Sequence, residues 1–321
     1  MNGTAVIECL QPATLTWEQA QSLSRLRSRA EGHSACTSEG YGWTLRQAIP
    51  YFTELGAIRP ALVTPVHIKQ LLDASRTKGL SSSTLETRYR HLRTFFRCLV
   101  ADGLLTKDPT DHVSRPRIEA KTPRAFRLED FQSVLKRIPT GTQLGKRDGA
   151  LLCLIYDSGS RVSEVLGLRI GDLDLAQNLA KVRGKGGRSR LITWGDRTRR
   201  KLLDWLRCRQ DAKAEDWLFC DIYGGQLSRN AVRLRIKRLT KQAGIAAPRL
   251  GIHSLRHGCA IELLRGGADV ETVRRTLGHS RLTTTQGYLR GLTDEEALAK
   301  ARAIGVVDRL TMPGARPRVL R

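Results

Sequence analysis

The sequence predicts a mainly α-helical protein of two domains, with a small antiparallel β-sheet confined to the second. Three observations carry that expectation. Apolar residues recur at three- and four-residue spacing through most of the chain. One central stretch, 172–194, instead alternates in short runs broken by "AQN" and "GKGG". And 321 residues are enough for two ordinary cores.

The first domain, assigned to residues 1–112, reads as helical. "TWEQAQSLSRLRSRA" and "TLRQAIPYFTEL" both place apolar residues at helical spacing. "SSSTLETRYRHLRTFFRCLVADGLL" is the clearest helix, with Leu85, Tyr89, Leu92, Phe96 and Leu99 as its stripe. Its serines supply capping hydroxyls and Gly103 stops it. Arg88, Arg90, Arg93 and Arg97 are expected on the opposite face, free to meet phosphates. Three prolines and alternating charges in "DPTDHVSRPRIEAKTP" read as a basic linker, assigned to 113–124.

The second domain, 125–311, opens near Phe126 with "RLEDFQSVLKRI". A helix "RDGALLCLIYD", a Ser-Gly turn and a second helix "RVSEVLGL" come next. The alternating runs "DLDL", "LAKVR" and "SRLITW" then predict hairpins. Helices resume in "RTRRKLLDWLRCRQ", "SRNAVRLRIKRLTKQAG", "HSLRHGCAIELLRGG" and "DVETVRRTLGH". "TDEEALAKARAIG" opens with Thr293 and Glu296 in capping-box spacing, and 312–321 has no periodicity and reads as a basic tail.

Charge narrows the function. With 55 Lys+Arg against 31 Asp+Glu the chain carries +24, which opposes compaction unless an anionic partner screens it. Nucleic acid is the first candidate and an anionic membrane surface the second. The membrane reading is weak, because no apolar run approaches the ~20 residues of a spanning helix. The N-terminus lacks the pattern of a secretory signal. Seven cysteines without a CxxC pair fit reduced thiols in a cytoplasmic protein, and exclude a disulfide framework and a zinc ribbon. The helix after Ser228 sharpens the case. Val232, Ile236, Leu239 and Ala243 form its apolar stripe, while Arg229, Arg233, Arg235, Lys237, Arg238 and Lys241 fill the rest without one acid. Such a helix is expected to lie against phosphates.

Four places combine reactive side chains with unusual backbone. Arg161 sits at a helix start, where a cation opposes the helix dipole, and Glu164 three residues on can orient its guanidinium. A surface ion pair accounts for the two equally well. Lys185 stands between glycines at a hairpin tip, where a solubilising lysine is the plain alternative. "HSLRHG" puts His253 and Arg256 together at another helix start. His257 is one turn after His253, but the glutamate of HExxH is absent and no third metal ligand stands near. Finally, His279 in "LGHS" precedes Tyr288 by nine positions, and a lone tyrosine is commonly a packing residue.

Each signal is modest, but their chain order is specific. "SGSRVSEVLGLRIGDLD", "VRGKGGRSR", "HSLRHGCA" and "LGHSRLTTTQGYL" resemble the catalytic boxes of the tyrosine recombinase (phage integrase) family, with no core position missing. The resemblance spans roughly 125–305, and the first domain is similar to the family's helical, SAM-like core-binding domain. Gly287 departs from it, since a bulkier residue is usual there.

The resemblance implies an enzyme that cuts and rejoins double-stranded DNA through a 3′-phosphotyrosyl intermediate and a Holliday junction. Arg161 and Arg256 would clamp the scissile phosphate, as a planar guanidinium matches two phosphate oxygens. His253 and His279 would add hydrogen bonds, Lys185 would protonate the departing 5′ oxygen, and Tyr288 would be the nucleophile. A phenol titrates near pH ~10, and surrounding cations favour its phenolate. No metal and no cofactor are expected. A homotetramer on paired sites is implied, joined in some systems by an accessory protein or a second recombinase. The basicity points to a mobile element, by integration, excision or cointegrate resolution. The alternatives are Xer-like chromosome or plasmid dimer resolution, a type IB topoisomerase, and a catalytically dead DNA-binding relative.

Overall fold

The computed structural model describes residues 14–32, 35–118, 125–184, 189–245, 250–278 and 285. The chain divides into two compact units, Met1–Lys121 and Thr122–Arg321.

Among its described residues the first unit packs four α-helices, α1 (Trp17–Ala30), α2 (Ala35–Glu54), α3 (Pro65–Thr77) and α4 (Ser82–Ala101). Thr16 starts α1 with a capping box to Gln19, and the Ser81 hydroxyl accepts from the Thr84 N–H at the start of α4. The core gathers around Trp17, whose ring lies 6.0–6.5 Å from those of Phe52, Phe95 and Phe96. Its indole N–H donates to the Ala57 carbonyl at 3.1 Å, so burial leaves no polar group unsatisfied there.

Two expectations change in this unit. Arg88 is not on the solvent face of α4. It is buried, because position 88 lies three residues after Leu85 and four before Leu92, within the apolar stripe itself. Its Nη1 donates to the Ser75 hydroxyl at 2.6 Å, and its guanidinium carbon lies 5.3 Å from the Trp43 ring centroid. Arg90 and Arg97 are exposed as expected, while Arg93 is half-buried and donates to the Tyr89 hydroxyl. Val113, placed at the start of the linker, belongs to the core instead: its side chain is buried and its carbonyl accepts from the Tyr89 hydroxyl.

The second unit is built on α6 (Gln143–Ser158), preceded by α5 (Leu128–Leu135). Every residue from Ala150 to Tyr156 is buried, so α6 is apolar all round and forms the central rod. Against it pack α8 (Asp196–Leu206), α10 (Ile252–Arg265), the short α7 (Val162–Leu166) and the sheet. That sheet is antiparallel with order β1-β2-β3, from β1 (Leu173–Asp174), β2 (Leu179–Arg183) and β3 (Ser189–Thr193). Its register pairs Leu179 with Thr193 and Arg183 with Ser189, so Ala180, Val182 and Ile192 face the core. The architecture is mainly helical with one small antiparallel sheet, as the sequence predicts. Among the described residues the remaining α-helices are α9 (Arg229–Gln242) and α11 (Val270–Leu277). Among the described residues no helix is long and apolar enough to cross a membrane. The expected capping box at Thr293 and Glu296 and the basic tail lie outside the described residues.

Candidate active site

The site begins where α6 ends. Gly159 takes a left-handed conformation (φ +59°), reversing the chain so that Arg161 becomes the N-cap of α7. Glycine is required here twice over. A Cβ would also stand 2.4 Å from Leu277 Cδ2 and 3.0 Å from Cys259 Sγ, so α10 and α11 both close on this turn.

Arg161 is held by Glu164 through backbone and side chain together. The Arg161 N–H donates to Glu164 Oε2 at 2.9 Å and its Nη1 donates to Oε1 at 2.8 Å. The Glu164 side chain is 3% exposed while that of Arg161 is 38% exposed, so the carboxylate is an internal anchor and the cation remains accessible. Burial pushes the Glu164 carboxyl upward, but bonds from the Arg161 N–H, the Arg190 charge and the Arg161 guanidinium outweigh it. The group stays below the ordinary carboxylate range, and hence ionised.

Arg256, on the second turn of α10, is 5% exposed. Its Nη1 donates to the Gly159 carbonyl and its Nη2 to the Leu277 carbonyl, both at 2.7 Å. It therefore braces the α6–α7 turn against the end of α11. His253 lies one turn earlier. Burial first, then the charges of Arg229, Arg256 and Arg161, hold it below the usual histidine range. That field, with the Arg256 bond to the Gly159 carbonyl, means that Arg161 at the start of α7 converges with His253 and Arg256, both of α10. It also adds Arg229, which opens α9 and which the sequence placed only on a phosphate-facing helix. His257 is likewise held low by burial, His253 and Arg256.

Of the six expected catalytic residues the structure brings together Arg161, His253 and Arg256, and Glu164 supports them. Lys185, in the β2–β3 connection, and His279 and Tyr288, after α11, lie outside the described residues. On α9, Arg229, Arg233, Lys237, Arg238 and Lys241 are exposed over a buried stripe of Val232, Ile236 and Leu239. Arg235 differs: its Nε donates to Asp148 Oδ2 at 2.6 Å, and Arg147 bonds the same buried carboxylate. The acid absent from α9 comes from α6, so Arg235 is tied into the fold. The sequence reading also missed Arg190 on β3, which shares Glu164 with Arg161. The signal was available in "SRLIT", where arginine occupies the inward parity and leucine the outward one.

Arg161, Arg229 and Arg256 gathered about His253, with the Glu164 carboxylate buried beneath Arg161, form a cationic arrangement of the kind that suits a phosphoryl oxyanion. The comparisons make that class specific. The phage integrase family model matches residues 124–295, and the model for the phage integrase N-terminal SAM-like domain matches residues 11–103. The tyrosine recombinase XerC of Xylella fastidiosa (strain 9a5c) is 34% identical over 257 residues, covering 80% of this chain and 86% of that protein. The XerC of Thermodesulfovibrio yellowstonii is 32% identical over 265 residues, with the same coverage of each. Among solved structures, the XerH recombinase bound to palindromic difH substrate superposes with a TM-score of 0.70 at 23% identity, covering 89% of this chain and 84% of that one. The Tn1549 transposon integrase in complex with circular-intermediate DNA gives 0.71 at 20% identity, over 89% of this chain and 99% of that one. The chain belongs to the phage integrase family of tyrosine recombinases, enzymes that break and rejoin DNA.

Proposed function

We propose that this protein is a site-specific DNA recombinase in which Tyr288 attacks a backbone phosphate. The observation that carries the reading is the convergence of Arg161 at the start of α7, Arg229 of α9 and the α10 pair His253 and Arg256, with Arg256 bonded to the turn before Arg161 and Arg161 accessible above a buried carboxylate. The Tyr288 oxygen forms a bond to phosphorus as the bond to the 5′ oxygen breaks. The phenol proton passes to the histidine pair of the site, and Lys185 supplies the proton that the 5′ oxygen takes. Arg161 and Arg256 stabilise the charge that builds on the non-bridging oxygens, which is where catalysis of phosphoryl transfer is concentrated. The covalent phosphotyrosine conserves the free energy of the broken diester, so strand rejoining is the same step reversed.

The exposed arginines and lysines of α9, with Arg90 and Arg97 of α4, are assigned to the duplex, and DNA partners in solved structures of similar fold support that assignment. A homotetramer on paired sites, with residues 293–321 of each chain docking on a neighbour, completes the proposal. For the biological role the curated relatives, named XerC at about one-third identity, favour resolution of chromosome or plasmid dimers. The strong basicity is what supports the mobile-element role.

The test is a nicked suicide duplex that traps the cleaved strand. Wild-type protein should form a covalent protein–DNA band that Tyr288→Phe cannot form. A band that survives in Tyr288→Phe, or its absence from the wild type on every candidate site from the host genome, refutes the assignment. Plasmids carrying paired sites in direct repeat, or a circularised element end, then separate dimer resolution from element excision.

A further inference from the structure

Strand β3 carries an inverted pattern. Leu191 points outward and is exposed, whereas Arg190 shares the inward parity of buried Ile192. Burying a guanidinium is costly unless its hydrogen bonds are replaced, so its partners define its use. Nη2 donates to Glu164 Oε2 at 2.9 Å and to the Ser160 hydroxyl at 3.3 Å, and Nη1 donates to the Thr276 carbonyl at 2.7 Å. One planar group thus joins β3, the entry to α7 and the last turn of α11. Thr276 lies in the final turn of α11, where carbonyls have no intrahelical partner and the helix dipole favours a cation. Gly278 is shaped by the same group. It has φ +66°, and a Cβ there would stand 2.7 Å from both Cδ and Nε of Arg190.

We propose that Arg190 is a positioning residue for strand cleavage, clamping the β2–β3 hairpin to Glu164 and to the end of α11. The inference rests on the recombinase reading. Each tethered segment adjoins a residue assigned to the phosphate: Arg161 beside Glu164, Lys185 at the other end of the hairpin connection, and His279 just beyond Gly278. Arg190 itself touches no substrate. It fixes the relative placement of cations that must meet one phosphate, and a misplacement of about 1 Å costs on the order of 10²-fold in rate. Lysine cannot substitute, because one ammonium lacks the fork that reaches a carboxylate and a carbonyl together.

Single-turnover cleavage of the nicked suicide duplex by full-length protein at saturating concentration tests this. The first-order rate constant and the amplitude of the covalent product are read separately, alongside affinity for an intact single site. Arg190→Met should lower the rate constant by about 10²-fold while affinity changes by no more than about threefold. Arg190→Lys should remain at least about tenfold slow, and it carries the test alone if the methionine variant does not fold. Glu164→Gln/Arg190→Met should be no slower than the slower single variant, since both residues act through one carboxylate. A purely structural role would lower the amplitude and the melting temperature but leave the rate constant intact, and that result overturns the inference. So does a double variant whose losses multiply. A wild type that forms no covalent product refutes the recombinase reading itself. One that cleaves normally, with Arg190→Met matching its rate, refutes only the role of Arg190.

Discussion

Replacing Gly159 by alanine tests the packing that sets the Arg161 turn. The backbone is left-handed at φ +59°, and the new methyl would stand 2.4 Å from Leu277 Cδ2 and 3.0 Å from Cys259 Sγ. The left-handed conformation costs an L-residue about 1–2 kcal/mol. Overpacking a closed core adds about 1–3 kcal/mol, and Leu277 is fully buried with little room to swing away. Loss of glycine's freedom in the unfolded chain returns about 0.4–1 kcal/mol. The net is a destabilisation of about 2–4 kcal/mol, read by urea unfolding. A Leu277→Val background shortens the clashing side chain and isolates the two parts. There Gly159→Ala should cost only the conformational part and the milder Cys259 contact, leaving a coupling of about 1–2 kcal/mol in the double-mutant cycle. The reasoning fails if Gly159→Ala stays within about 0.5 kcal/mol of wild type, or if its cost is equal in both backgrounds.

Three further outcomes follow from the contacts. His253 should titrate below the ordinary histidine value of about 6.5, because burial and then Arg229, Arg256 and Arg161 disfavour its charged form. The folded state therefore binds this proton more weakly than the unfolded one. Its contribution to stability is intact above the ordinary value and is lost as pH falls through it toward the folded value. Arg229→Gln should raise the His253 titration seen by NMR, and an unmoved curve contradicts the electrostatic reading. In the first unit, Arg88→Met should destabilise by about 1–3 kcal/mol through loss of the Ser75 bond and the Trp43 contact. Arg90→Met should leave stability within about 0.5 kcal/mol but weaken DNA binding, and the reverse ordering would restore the reading of Arg88 as a solvent-facing arginine. On α9, Arg235→Met should cost about 1–3 kcal/mol through Asp148. Lys237→Met should instead spare stability and reduce the salt slope of DNA binding by about 1.

The elements that were legible are those whose signal is local. Alternation in "LAKVR" marked β2, and Ala180 and Val182 do face inward. The stripe of Leu85, Tyr89, Leu92, Phe96 and Leu99 marked α4. Helix α3 went unread because only Ile68 and Leu71 mark its buried face, although Thr64 followed by Pro65 is a start signal. Arg88 was misplaced because arginine was read as exposed by type, against its own position in the stripe. At the site, the sequence could place Arg161 beside Glu164, since three residues separate them on one helix turn. It could not show that Gly159 is glycine because of Leu277, or that Arg190 shares Glu164, since those contacts join segments far apart in the chain. The assignments of Lys185, His279 and Tyr288 came from the order of motifs alone.

A cluster of cations built to receive a phosphate faces a conflict: whatever holds the cations also tends to neutralise them. This site resolves it with neutral partners. Arg256 is held by the carbonyls of Gly159 and Leu277, and Arg190 by that of Thr276, each at a helix C-terminus whose carbonyls lack intrahelical partners. A helix end supplies only about half a negative charge, enough to orient a guanidinium without cancelling it. The full carboxylate, Glu164, is buried and shared between Arg161 and Arg190, so that pair of cations retains a net positive charge. On the recombinase reading, that remaining charge is what would meet the incoming phosphate. On this account adding a second carboxylate near the site should harm cleavage more than removing a helix-end carbonyl contact, because it spends the field rather than loosening its geometry. Ser160, buried beside both Glu164 and Arg190, is the position at which to place it. Ser160→Asp should suppress covalent product formation more strongly than Ser160→Ala at equal folded fraction, and equal rates for the two would refute the electrostatic argument.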